Sequence, residues 1–238
     1  MMKIKRTIVI IALLMGVVLL AVISFTPAIN KAVSAKASNN PEIILDAGHG
    51  GFDGGAVALD GTVEKDINLK ICITLAELLR SNGYDVIMTR NGDNSTDDIE
   101  SDKIASRKKS DLKNRLELMK SYPDAVFVSV HLNKFTTSTA SGSQVFYSGV
   151  CEESAVLGEK IQSAIVGLLQ PENTRVNKKA TTSTYLLYNA TVPAVLVECG
   201  FLSNSGDLQK LKSEDYQKKM AFSIFCGITE YFSGNKTV

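Results

Sequence analysis

The chain is short of histidine, scatters its cysteines and has no basic tract, and each shortage removes a class of protein. Two histidines in 238 residues cannot by themselves complete a three-ligand metal site, so any such site must recruit carboxylates. Four cysteines, Cys72, Cys151, Cys199 and Cys226, show no C-x-x-C spacing, which excludes a disulfide framework or a zinc ribbon and leaves small buried hydrophobes. The formal charge of +1 misleads, because Lys3, Lys5, Arg6, Lys31 and Lys36 all precede the first carboxylate. Beyond them stand 21 cations against 25 carboxylates, a net of −4. A mildly acidic body offers no footprint for nucleic acid, while peptide, sugar or small-molecule partners stay open. There is no internal repeat.

What is present begins with a leader, "MKIKRTIVIIALLMGVVLLAVISFTP", apolar almost throughout from Thr7 to Thr26. That is about the ~20 residues needed to cross a bilayer. Residues 1–26 therefore read as a hydrophobic helix, either a signal anchor or a signal peptide cleaved at the small residues of "AVSAKA", near Ala35 or Ala37. In both readings the positive flank stays inside and the body is exported. Residues 27–41 read as a linker and 42–238 as one globular domain, since a chain with 45% hydrophobic residues at this length supports a single well-buried core.

Within the domain, apolar and β-branched runs alternate with segments of helical period. The runs are 42–46, 84–89, 125–130, 143–148, 184–188 and 194–198; helical spacing recurs in Ile67, Ile71, Leu75 and Leu79, in Leu112, Leu116 and Met119, and in Leu157, Ile161 and Ile165. Residues 207–232 predict one or two further helices. The pattern predicts a three-layer α/β/α sandwich around a largely parallel sheet of about six strands. One segment breaks the rhythm: "NGDNSTDDIESDKIASRKKS", 91–110, is polar and predicts a long exposed loop leading into the helix around Arg115.

His49 and His131 each follow a predicted strand by a few residues, and the carboxyl ends of such strands hold the ligand crevice. A divalent metal would need a third ligand at the same edge. Glu64 fits best, in the first turn of a helix capped by Thr62; Asp46, Asp53 and Asp66 are rivals, and a first-turn carboxylate also suits the helix dipole. Glu198 ends the apolar run "PAVLVE", where a carboxylate is costly unless paired or raised in pKa, the condition of a general base. Cys199, next along the strand, should face the opposite side. The glycines of "IILDAGHGGFDGG" bind no phosphate: a dinucleotide fingerprint from Gly48 would need glycine where Asp53 stands, and a Walker lysine is absent. They instead let the chain turn and a bulky substrate approach.

The blocks "IILDAGHGGFDGGA", "EKDINL", "MTR", "NRLELMKSYPDAVFVSVHLN" and "TVPAVLVECGFLSN" resemble the zinc-dependent N-acetylmuramoyl-L-alanine amidases of bacterial cell walls, over about residues 43–232. The bare domain behind a hydrophobic leader is most similar to the sporulation amidases of the CwlD type, which act on spore-cortex peptidoglycan. The resemblance implies one zinc ion per chain held by His49, Glu64 and His131. It makes Glu198 catalytic and peptidoglycan the substrate, cut between the lactyl group of N-acetylmuramic acid and L-alanine of the stem peptide. Arg115 and Asn133 are expected to orient glycan or peptide, with helix-surface or turn-stabilising roles the alternative. The chain would meet the membrane through an uncleaved leader, and an accessory protein is possible. Two other classes remain open: a metallo-carboxypeptidase-like hydrolase with the same ligand set, and a non-catalytic wall-binding module that keeps zinc for structure.

Overall fold

A computed structural model describes residues 40–234; the leader helix expected over 1–26 lies outside them. Among the described residues no helix is long and apolar enough to cross a membrane. The elements run β1 (Glu42–Ala47), α1 (Glu64–Ser81), β2 (Asp85–Met88), α2 (Ile104–Lys120), β3 (Val126–Asn133), β4 (Gln144–Tyr147), α3 (Glu153–Leu168), β5 (Lys178–Lys179), α4 (Tyr185–Tyr188), β6 (Ala194–Phe201), α5 (Ser205–Lys212) and α6 (Glu214–Gly234). Six strands form one sheet in the order β2-β1-β3-β6-β4-β5. All neighbours are parallel except β4 against β6, as the expected sandwich requires.

Side-chain alternation on β1, β3 and β6 feeds two cores, because central strands of a parallel sheet are covered on both faces. Ile43, Leu45, Val128, Val130 and Val197 face one way into a core with α1, α3 and α6. Ile44, Phe127 and Ala194 face the other way, against α2 and the single turn of α4. Cys199 belongs to the first core, opposite Glu198, as its place on the strand implies. The second face has only a thin cover, and it is there that His131 and Glu198 stand at paired positions on β3 and β6.

Three expectations give way. The run 184–188 is the helical turn α4, not a strand: Leu186 and Leu187 are both buried in one core while Tyr185 and Tyr188 are exposed. Two adjacent buried positions fit a helical turn and not the period of a strand. The sixth strand is the two-residue β5, too short to carry a pattern. The polar stretch 91–110 is only partly loop, since α2 begins at Ile104.

α3 and α6 pack so closely that Gly227 meets backbone: a Cβ there would stand 2.5 Å from Ile161 Cα. Alanine is the better helix former by ~1 kcal/mol, yet overpacking a rigid contact costs ~1–3 kcal/mol. Gly227→Ala should therefore lower the urea midpoint. A midpoint equal to or above the parent's would show that the two helices can move apart freely.

Candidate active site

After β1 the chain turns through Gly48, His49, Gly50 and Gly51. His49 has φ of 63°, a left-handed conformation that costs a non-glycine residue ~1–3 kcal/mol and persists only where surroundings enforce it. Two buried arginines do so. Arg115 on α2, 2% exposed, gives Nη1 to the Asp46 carboxylate and to Ala47 O (3.1 Å), Nη2 to His49 O (2.7 Å), and Nε to Asp111 (2.8 Å). Arg90, just past β2, gives Nε to Ala47 O (2.8 Å) and Nη2 to Gly48 O (3.1 Å) and Lys65 O (2.8 Å). Burial alone would raise the Asp46 pKa, but Arg115 and the Ser129 hydroxyl (2.6 Å) hold it below the usual carboxylate range.

The same turn caps α1. Thr62 does not cap the helix; Val63 is the N-cap residue and no side chain fills the role. Instead Ala56 O accepts from Glu64 N (2.9 Å) and Gly54 O from Lys65 N (3.1 Å), so loop carbonyls satisfy helix donors and bind the start of α1 to the His49 turn. The Glu64 carboxylate, 3% exposed as a residue, accepts from Ala56 N (2.8 Å), Leu132 N (3.0 Å) and Asn68 Nδ2 (3.3 Å).

His49 Nε2 lies 3.2 Å from Glu64 Oε1, and His131 Nδ1 lies 3.0 Å from the same oxygen. One ligand atom from each of the three residues lies within 4.8 Å of the others. The glycines make room for this convergence. A Cβ on Gly48 would stand 2.3 Å from the His131 ring, and one on Gly55 would stand 2.6 Å from both Glu64 Oε2 and His49 Cδ2, so they admit these three side chains rather than substrate. Two imidazoles and a buried carboxylate suit zinc. Burial would lower the His49 pKa, but Asp53 and Glu64 outweigh it and hold it at about 9. Burial would raise that of Glu64, but His131 and His49 keep it ionised. A site that holds positive charge this firmly fits a cation.

Glu198 stands beside His131 across the sheet. Its Oε2 is sealed from solvent with no hydrogen-bond partner, and burial pushes its carboxyl up to about 7 against the pull of His131, with the Glu64 charge adding to the rise. The remaining expected residues are used differently. Every N–H of the Arg115 guanidinium is engaged within the protein, between Asp46, Asp111, Thr89 and the two carbonyls, so no donor is left for glycan or peptide and Arg115 positions the loop. Asn133 Oδ1 accepts from Lys134 N (2.8 Å) just past the register shift in the β3–β6 pairing, where Asn133 pairs with Phe201. Of the rival carboxylates, Asp46 is committed to Arg115, Asp53 to His49 Nδ1 (2.9 Å), and Asp66 is exposed. Arg90 was not singled out from sequence for any role, although it closes the block "MTR" directly after the apolar run of β2.

Fold and site together define a three-layer α/β enzyme built around a His-Glu-His cluster, with a half-buried glutamate at its side. A family model described as N-acetylmuramoyl-L-alanine amidase matches residues 43–230, and the chain belongs to that family of peptidoglycan hydrolases. It is 37% identical over 191 residues to the germination-specific N-acetylmuramoyl-L-alanine amidase of Bacillus subtilis, covering 80% of this chain and 79% of that one. Among solved structures, the CwlD amidase of Clostridioides difficile in complex with the GerS lipoprotein matches with a TM-score of 0.79 at 42% identity, over 82% of this chain and 100% of that one. A second N-acetylmuramoyl-L-alanine amidase, from Clostridium difficile 630, gives 0.72 at 30% identity over 83% and 100%.

The raised Glu198 pKa has a stability consequence in the metal-free protein. Between its ordinary value and about 7 the folded state keeps a proton that the unfolded state has released, so this group's contribution falls as pH rises through that window. With chelator present, Glu198→Gln should gain Tm over the parent, by a margin that widens from pH 4.5 to pH 7.5. A margin independent of pH would contradict a raised carboxyl.

Proposed function

We propose that this amidase is zinc-dependent, with His49, Glu64 and His131 as ligands and Glu198 as the general base and acid, and that it acts on spore-cortex peptidoglycan. The observation that carries the reading is the meeting of His49 Nε2, His131 Nδ1 and Glu64 Oε1 beside the unpartnered Glu198 Oε2. Zinc, when bound, supplies Lewis acidity that makes water a usable nucleophile near neutral pH and stabilises negative charge on the attacked carbonyl oxygen. Glu198 takes the proton from the attacking water and returns it to the leaving nitrogen of L-alanine, and a carboxyl whose pKa lies near working pH can do both. Family membership favours this amide, at the head of the stem peptide, over release of terminal amino acids. A module with only a structural zinc has no use for a desolvated glutamate next to it.

Two finer readings rest on the relatives. Wall amidases act outside the cytoplasm, which supports export of this chain, with residues 1–26 as membrane anchor or cleaved signal. The Clostridioides difficile relative was solved with a lipoprotein, and this supports an accessory protein for this chain. The cortex assignment follows the germination-specific relative.

The test is digestion of purified cortex peptidoglycan, followed by mass spectrometry. Zinc-loaded protein should release intact stem peptides beginning with L-alanine and leave unsubstituted muramic acid; chelator should abolish both. Glu198→Gln should keep one zinc per chain and lose ~10²–10⁴-fold in turnover. Release of single amino acids, or full turnover by Glu198→Gln, would overturn the proposal.

A further inference from the structure

The polar segment 91–110 carries no ligand, yet it crosses directly over the His49 turn. Asp93 takes the Gly51 N–H (2.9 Å) and pairs with Lys65 (2.8 Å), whose Nζ also holds Gly51 O (2.8 Å). Arg107, paired with Asp97 (2.7 Å), lies over the Phe52 ring at 4.0 Å. Next to it on α2, Lys108 Nζ sits 2.9 Å from Asp53 Oδ1. The other oxygen of Asp53, Oδ2, is 2.9 Å from His49 Nδ1.

The two histidines are thus held by different means. His131 stands on a central strand with Gly48 packed against its ring, so its orientation is set by the sheet. His49 stands on a positive-φ turn with no strand to fix its ring. We propose that Asp53 is the positioning carboxylate of His49, itself fixed by Lys108, and that the 91–110 segment exists to hold this pair in place. With its Nδ1–H donating to Asp53, the His49 ring keeps one tautomer and presents the Nε2 lone pair to the space shared with Glu64 and His131. A carboxylate behind a ligating imidazole also raises its basicity, and removing such a partner typically costs 10–100-fold in metal affinity. The proposal rests on the zinc reading above and adds residues that touch neither metal nor substrate.

Asp53 also accepts from Gly55 N (3.1 Å), so a turn-forming role must be separated from the positioning role. Asn keeps the acceptor for Gly55 but removes the charge; Ala removes both. In the full-length chain, untagged and in mild detergent, zinc affinity is read by competition with a chelating dye. Ring nitrogens are read by NMR after 15N-histidine labelling, where two histidines give only two ring systems. Wild type should show His49 protonated at Nδ1 with zinc bound. Asp53→Asn and Asp53→Ala should both weaken zinc tenfold or more, Ala the more. Lys108→Met should weaken zinc a few-fold, and add nothing in the Asp53→Ala background. Wild-type affinity in Asp53→Asn reduces Asp53 to a turn former and overturns the proposal; an equal Lys108→Met effect in both backgrounds overturns the part assigned to Lys108. Wild type that binds no zinc overturns the zinc reading itself.

Discussion

The Arg115 guanidinium lies buried between the Asp46 and Asp111 carboxylates, and with its remaining donors it grips the carbonyls of Ala47 and His49. Everything at the site depends on that contact. β1 would otherwise run on past Ala47 with no reason to reverse, and His49 would not be forced into a left-handed turn. Arg90 shares the Ala47 carbonyl and adds that of Gly48, between the two that Arg115 holds. Removing one partner of a buried pair of this kind typically costs ~3–5 kcal/mol, because the other charge is left stranded. What holds the turn is the set of charged-donor hydrogen bonds to its carbonyls, worth ~1.5–3 kcal/mol each, which together offset the ~1–3 kcal/mol of strain at one left-handed residue.

From the fixed turn the rest of the geometry follows. Carbonyls of residues 54 and 56 cap α1 and so deliver Glu64 to His49, while register on β3 and β6 delivers His131 and Glu198 to the same opening. The thin side of the sheet leaves the opening uncovered. Two carboxylates then share one small region under opposite rules: Glu64 is kept ionised by two histidines and backbone donors, Glu198 is deprived of partners and kept near its titration point. A ligand needs the first condition and a proton carrier the second.

Much of this was legible in the chain. His49 and His131 both follow apolar runs, Glu198 ends one, and the alternation of runs and helical periods specifies a parallel sandwich without reference to contacts. What was not legible depends on contacts far apart in sequence. Thr62 looks like a cap, but the helix start is satisfied by backbone eight residues upstream, and backbone carbonyls leave no mark in a sequence. Tyr185–Tyr188 has strand-forming residues, yet its two leucines bury together, which only the neighbouring core decides. Arg115 was open between orienting substrate and a helix-surface or turn-stabilising role; what decides is its burial against Asp46, 69 positions away. The glycines were expected to let the chain turn, as the positive φ of Gly50, Gly51 and Gly55 shows, and to admit substrate, whereas the room they leave is taken by the side chains of His131, Glu64 and Arg90.

The central claim is that buried arginines hold the His49 turn ready, so that the three ligand atoms converge before any metal arrives. The direct measurement is a pair of crystal structures, one grown with chelator and one with zinc, the second recorded across the zinc absorption edge. The account predicts a single anomalous peak bonded to His49 Nε2, His131 Nδ1 and Glu64, with Glu198 beside it and unligated, and the same 47–56 backbone in both crystals. A peak bonded to a different set, or a turn that forms only when zinc is present, would contradict it.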